Sequence, residues 1–313
     1  MQLSERIGRR IKLQDLHVLM AVVQAGSMRK AAAHLNTTQP SVSRSIAELE
    51  EAVGVPLLDR SPQGVEPTAY GRALIDGGAA MFDDLRQTVK NIELLADPEA
   101  GEIRVGATPP LTASFVSSVA NRLARRLPRI VFHLVAMSTD KIYNELGERN
   151  LDLLIARRLG TIADERHSFE FLFDDPYRVV AGAQNPWARR RSIRLAELIN
   201  ESWTLPPPES PPGALARETF RVSGLEYPRT TVFTLNSEAR MNLLATGNFL
   251  TILPASALRF PTRLPELKVL PVELPIPPVA IGVVTLKNRM LSPVAPLFTE
   301  HAREVAKELV KKK

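Results

Sequence analysis

Residues Ser27 to Arg60 read SMRKAAAHLNTTQPSVSRSIAELEEAVGVPLLDR, and the first part of the chain is organised around them. Met28 to Leu35 is rich in good helix formers, and Ser27 stands where an N-cap belongs. Asn36-Thr37-Thr38 interrupts with side chains that bond to nearby backbone and so favour turns and caps. Gln39-Pro40 restarts a helix, because a first-turn N–H has no helical partner to lose. Two short helices around a polar corner predict a helix-turn-helix.

The second helix, over Pro40 to Glu51, sorts by face. Val42, Ile46, Leu49 and Val53 recur at the spacing of one buried stripe. Pro40, Ser43, Arg44 and Ala47 fall opposite, with Gln39 at the leading end. A solvated face is the ordinary outcome for an amphipathic helix. Here the outward residues suit base edges: Arg pairs bidentately with guanine, Gln with adenine, and Ser reaches base or phosphate. Gly54 to Leu58 is then apolar, and Asp59 to Gly64 places turn residues around Arg60. This predicts a small hairpin, or wing, whose Arg60 reaches a phosphate or the minor groove.

Upstream, Leu13 to Gln24 reads as a helix striped by Leu16, Leu19, Met20 and Val23 and ended by Gly26. His17 and His34 are lone histidines on helices, read as structural. Downstream, Thr68 to Ala96 reads as one long helix, with Thr68 as cap and Asp97-Pro98 as stop. Leu74, Gly78, Met81, Leu85, Thr88, Ile92 and Leu95 alternate by four and three, a heptad seam with weak members at Gly78 and Thr88. A small domain ending in a solitary helix has little of its own to cover that stripe. A partner helix from a second copy is the expectation, with Leu74, Met81, Leu85, Ile92 and Leu95 as dimerisation residues.

After Asp97 to Gly101 the pattern changes to alternating strands and helices. Strands are expected at Glu102–Ala107, Ile130–Ala136, Leu151–Ala156, Arg178–Ala183, Trp203–Leu205, Thr230–Leu235, Phe249–Leu253 and Val279–Thr285. Helices are expected at Leu111–Leu127, Thr139–Arg149, Arg194–Ile199, Pro212–Ser223, Ser237–Thr246 and Pro293–Val310. Buried β-branched runs between helices predict parallel sheet covered on both faces. In such folds a ligand sits beyond the carboxyl ends of strands, near helix N-termini. That rule selects Thr108 and Pro109 after the first strand, Ser138 after the second, Arg157 after the third, and Pro206 and Ser237 from the later unit. The hydroxyls of Thr108, Ser138 and Ser237 can equally be helix caps.

The 313 residues carry formal charge +6, 44% hydrophobic and 24% charged residues. These are ordinary values for a globular protein of two or more domains, leaning mildly toward polyanionic partners. The first domain is nearly charge-balanced, so specific contacts must outweigh bulk field. The absence of cysteine excludes disulfides, a thiol nucleophile and thiolate metal sites, and suits a reducing cytoplasm. The charged N-terminus lacks a signal-peptide core, and no apolar run has transmembrane length. No nucleophile elbow, phosphate loop, dinucleotide fingerprint or paired-histidine motif occurs, so neither an enzyme nor a cofactor is expected. The Arg189–Arg191 run with Arg194, and terminal Lys311–Lys313, read as solvated surface.

The segment AGSMRKAAAHLNTTQPSVSRSIAELEEAVGVPLLDRSPQGVEPTAYG resembles the N-terminal winged helix-turn-helix of the LysR-type transcriptional regulators over roughly the first seventy residues, and the remaining chain agrees in length and layout. The resemblance implies that Gln39, Pro40, Ser43, Arg44 and Arg60 face DNA, flanked by Ser27, Lys30, Thr38 and Ser41. Met28 departs from an aromatic residue common in the family, which touches packing. The resemblance further implies pairing through the long helix, and a two-lobed, type 2 periplasmic-binding-protein-like α/β effector domain binding a small molecule between its lobes. The stretch WTLPPPESPPGALARETFRVSGL resembles a subgroup sensing sugars or aromatic compounds.

The expected division is a DNA-binding domain over residues 1–67, a linker and dimerisation helix over 68–96, a hinge over 97–101, and an effector domain over 102–313. Within that last domain, lobe I covers about 102–177 and 276–313, and lobe II about 178–275. The expected function is sequence-specific regulation of transcription from promoter DNA, as a homodimer or homotetramer, under a small effector. The alternatives are a cytoplasmic small-molecule-binding protein, or an enzyme on the α/β lobes, with only non-specific DNA affinity.

Overall fold

The computed structural model describes residues 10–61, 64–158, 165–259 and 267–311. The charged N-terminal residues 1–9, Pro62 and Gln63 within the stretch expected to form the wing turn, and Lys312 and Lys313 lie outside the described residues. The chain forms two compact units, residues 1–89 and 90–313.

The first unit carries α1 (Leu13–Ala25), α2 (Met28–His34), α3 (Gln39–Val53), the hairpin β1 (Leu58–Ser61) and β2 (Gly64–Pro67), and the start of α4 (Ala69–Ala96). Gly26 and Gly54 end α1 and α3 in the left-handed region, at φ 64° and 85°, where a β-carbon is disfavoured. Leu16, Leu19, Val22, Ala31, Val42, Ile46 and Leu49 close the core. The Ser45 hydroxyl, on α3, donates to the Asp15 carboxylate of α1. Thr68 caps α4 as expected, its hydroxyl accepting from the Gly71 amide at 3.0 Å.

The second unit holds two five-stranded sheets. The first is ordered β4 (Arg129–Ala136), β3 (Ala100–Ala107), β5 (Leu153–Arg157), β12 (Val279–Leu286), β6 (His167–Asp175). The second is ordered β11 (Leu267–Val269), β7 (Tyr177–Gly182), β10 (Leu250–Pro254), β8 (Trp203–Leu205), β9 (Thr230–Phe233). Their cores are separate, one around Phe115, Leu123 and Phe298, the other around Trp203 and Phe220. The returning β12 and α11 (Val294–Lys311) belong to the first sheet and its core.

Several sequence expectations need correction. The sheets are mixed: β12 runs antiparallel to β5 and β6, and β7 antiparallel to β10 and β11. Strands β6 and β11 lie where the sequence pattern predicts none. The helix expected at 194–199 is a four-residue 3-10 turn, Leu195–Leu198, held by the Arg194 amide donating to the Glu197 carboxylate at 2.8 Å. The single helix expected at 111–127 is α5 (Pro109–Leu111), a π turn (Thr112–Val116) and α6 (Ser117–Arg126). There the Thr112, Ser114 and Ser118 hydroxyls bond carbonyls four residues back, a bonding that competes with the regular ladder.

The other helices are α7 (Thr139–Gly147), α8 (Pro211–Val222), α9 (Ser237–Ala245) and the short α10 (Ser256–Arg259). Gly213 lets α8 begin hard against the preceding loop, where a Cβ would lie 1.9 Å from the Pro207 carbonyl oxygen. Among the described residues no helix is long and apolar enough to cross a membrane.

Candidate functional site

The outward face of α3 is assembled from its own first turns. Thr38 is the N-cap: its hydroxyl accepts from the Ser41 amide at 3.4 Å and lies 2.9 Å from the Ser41 hydroxyl. With Val42, Ile46 and Leu49 fully buried, Gln39, Pro40, Ser41, Arg44 and Ala47 are exposed and Ser43 half-buried. Lys30 is exposed on α2. Ser27 occupies the cap position of α2 with extended backbone, but its side chain makes no capping bond there.

Arg60 is exposed on β1, its guanidinium 4.0 Å from the Glu50 carboxylate. Glu50 is a site residue that the sequence does not single out. Its carboxylate accepts from the Leu57 and Leu58 amides at 2.8 and 3.3 Å and so pins the hairpin to α3. Nothing local in the sequence signals a side chain whose partners lie seven and eight residues on.

In the second unit one cavity of about 480 Å³ gathers Thr108, Pro109, Ser138, Arg157, Pro206 and Ser237, the six residues that the strand-end rule selects. It lies between the two sheets' lobes, since Thr108, Ser138 and Arg157 follow strands of the first sheet, and Pro206 and Ser237 follow strands of the second. Its volume suits a small ligand. Thr108 and Ser138 stand at cap positions, yet neither side chain makes a capping bond. The cap of α9 is Asn236, whose side chain accepts from the Ala239 amide at 3.0 Å, leaving Ser237 as the first helical residue.

Arg157 is held from two sides. It donates to the Thr108 hydroxyl at 3.2 Å and pairs with Asp175 at 3.3 Å, and its guanidinium carbon lies 6.0 Å from the Tyr177 ring centre. The buried Asp175 is itself fixed by the Ser256 amide at 2.9 Å and hydroxyl at 2.6 Å. Beside Ser138, hydrogen bonding from its hydroxyl holds the Asp140 carboxyl below the usual range.

Arg240 also lines the cavity, and the strand-end rule does not select it. It is 7% exposed and donates to the Thr234 carbonyl at 3.0 Å, and burial pushes its guanidinium down to about 10. The available signal is spacing: Ser237 and Arg240, three apart on α9, share a helix face. Among the described residues no aspartate, glutamate or histidine lines the cavity, whose polar groups are hydroxyls, the Tyr177 phenol and the cations Lys141, Arg157 and Arg240. Such walls offer hydrogen bonds and positive charge to a bound molecule.

Along α4, Met81, Leu85, Ile92 and Leu95 are exposed, Leu95 at 82%. Leu74 differs from these, packing against the core of the first unit. The Arg189, Arg190, Arg191 and Arg194 side chains are all exposed, as expected of a solvated charge run.

Comparison with known proteins covers both units. The family described as "Bacterial regulatory helix-turn-helix protein, lysR family" matches residues 13–72, and "LysR substrate binding domain" matches residues 96–307. Among curated relatives, the HTH-type transcriptional regulator GbpR of Azospirillum brasilense is 23% identical over 91% of this chain and 84% of its own length. The regulator TdcA of Escherichia coli is 24% identical over 94% of this chain and 93% of its own. Among solved structures, full-length CbnR complexed with its target DNA superposes with a TM-score of 0.64 at 21% identity, covering 94% of this chain and all of that one. A full-length OxyR variant from Pseudomonas aeruginosa gives 0.61 at 21% identity, covering 95% of each. With family models spanning both units, this chain belongs to the LysR family of bacterial transcriptional regulators.

Proposed function

We propose that this family member, a DNA-binding regulator with an effector-binding domain, reads promoter DNA through the outward face of α3 and the wing. Gln39, Pro40, Ser43 and Arg44 contact bases, Arg60 contacts phosphate or the minor groove, and Ser27, Lys30, Thr38 and Ser41 border them. The observation that carries this reading is the division of α3: a fully buried stripe behind, and an exposed face without a large apolar or acidic side chain along its first two turns.

The division of labour we propose is DNA binding by residues 1–67, pairing of copies by 68–96, a hinge at 97–101, and effector binding by 102–313 in lobes of about 102–177 with 276–313 and about 178–275. Exposed Met81, Leu85, Ile92 and Leu95 support pairing along α4, with Leu74 contributing from the end that packs on the first core. A homodimer or homotetramer would set recognition helices on half-sites one DNA turn or a multiple apart, about 34–36 Å per turn. The effector is a small organic acid, aromatic compound or sugar derivative held by Thr108, Pro109, Ser138, Arg157, Pro206 and Ser237. It acts through its difference in affinity between two arrangements of lobes or subunits.

The test is selection of host genomic fragments by the purified chain at one fixed salt concentration, because phosphate contacts alone give salt-sensitive, sequence-blind binding. Enrichment of a few intergenic inverted repeats is expected. Retention without sequence preference refutes the reading.

A further inference from the structure

Three buried or half-buried arginines of the second unit differ in how their charge is met. Arg289, 8% exposed, is wrapped by the Leu151 and Arg149 carbonyls, with the Asp152 carboxylate at 3.9 Å. Arg157 is paired with Asp175. Arg240 is more than nine-tenths buried, and among the described residues no carboxylate forms an ion pair with it. Its one bond to the Thr234 carbonyl leaves Nε buried without a hydrogen-bond partner, and Arg157 Nε is unsatisfied in the same way. Both side chains face one cavity that, among the described residues, no acidic side chain lines.

A cation taken out of water costs several kcal/mol in effective terms unless something compensates it. The fold recovers that cost at Arg289 and Arg157 with its own groups and leaves it standing at Arg240. We propose that the compensating group is the effector's own carboxylate, gripped by Arg240, so that the cleft takes a small organic acid with a hydrophobic body. A carboxylate presents two acceptors to the edge of a guanidinium, the pairing for which arginine is best shaped. The rest of the wall fits an apolar body: Pro109, Pro206, Pro211, Leu215, Leu235 and Ile252 line the cavity. A neutral sugar would find hydroxyl partners such as Ser138 and Ser237 but would leave the Arg240 charge unmet. The strong downward pull of burial on the Arg240 guanidinium is the same imbalance seen from its titration.

The assignment rests on the reading of this cleft as the effector site, and the experiment separates the two. The full chain is titrated with benzoate, cyclohexanecarboxylate and hexanoate, each beside its uncharged primary amide, and with inorganic phosphate. Binding is followed by calorimetry and thermal unfolding, in the native protein and in Arg240→Gln and Arg240→Lys. At least one acid is expected to bind about ten- to a hundredfold more tightly than its amide, the size of a charge-assisted bond. That ratio should fall to about one in Arg240→Gln and to an intermediate value in Arg240→Lys. Unliganded Arg240→Gln should melt no lower than the native chain, since the charge it loses was uncompensated; a merely structural arginine would give a clear loss.

No acid-over-amide preference in any pair overturns the carboxylate site, as does a preference that survives in Arg240→Gln or a response to phosphate exceeding that to every acid. Selective DNA retention by the same preparation, without acid preference, refutes this inference alone. Acid preference that vanishes in Arg240→Gln, without selective DNA retention, refutes the regulator reading and leaves the anion site standing.

Discussion

Arg44→Ala removes an exposed guanidinium from the outward face of α3 while Val42 and Ile46 beside it stay buried. Because the side chain is solvated and makes no ion pair among the described residues, the melting transition should move by no more than about 0.5 kcal/mol in stability. On DNA the expected loss is about 1–3 kcal/mol for each copy engaged, roughly 5- to 150-fold in affinity, which is the worth of one bidentate base contact. The loss should be confined to the preferred sequence. The assay is fluorescence anisotropy at fixed salt, with a selected fragment and a scrambled one of the same length. Arg60→Ala is the comparison: a phosphate contact lowers affinity for both fragments alike and reduces the slope of log K against log salt by about 0.9, whereas a minor-groove contact costs more on the selected fragment. Equal losses on both fragments for Arg44→Ala, or no loss, would refute the assignment of base reading to this residue.

Ile46→Ala empties a fully buried position at the centre of the first core, so about 2–5 kcal/mol of stability should be lost, read by chemical denaturation. Leu85→Lys with Ile92→Lys puts charge on the exposed apolar face of α4, and sedimentation should then give a smaller assembly than the native chain, with unchanged helix content. Glu102 accepts a hydrogen bond from Lys90 at 2.9 Å, and this holds its carboxyl below the ordinary value. Its contribution is therefore present above the unfolded-state value near 4.5 and disappears as pH falls through the lower folded value. Glu102→Gln should cost about 0.2–1 kcal/mol at neutral pH, the range for a partly exposed pair, and the gap in melting temperature from the native chain should close in acid.

The helix-turn-helix is readable because its determinants are local. Val42, Ile46 and Leu49 set the buried stripe, Gly26 and Gly54 end helices where their φ angles require glycine, and Pro40 fits a first turn. The cleft loops are readable for a similar reason, since Thr108, Ser138 and Ser237 each follow a strand and open a helix. What escapes depends on residues distant in sequence. Strand β6 takes its place only against β12, more than a hundred residues later. Strand β11 is three residues in a proline-rich passage and gives no periodic signal. Arg240 sits in SEARMNLLA, whose composition does not mark one arginine as buried; only the assembled lobe encloses it.

The position of β12 between β5 and β6 bears on how the chain is made. During synthesis the first sheet waits with a gap at its centre while the whole second sheet, from β7 to β11, emerges and can pair. Until residue 286 is out, β5 and β6 each present an open edge, the geometry most prone to pairing with a foreign strand. The lobe begun first is thus finished last, and a nascent chain stalled when residues up to about 275 have left the ribosome would display one completed lobe beside one unclosed. Such a nascent chain should recruit chaperones far more than one released after α11, the helix that seals the finished sheet's core.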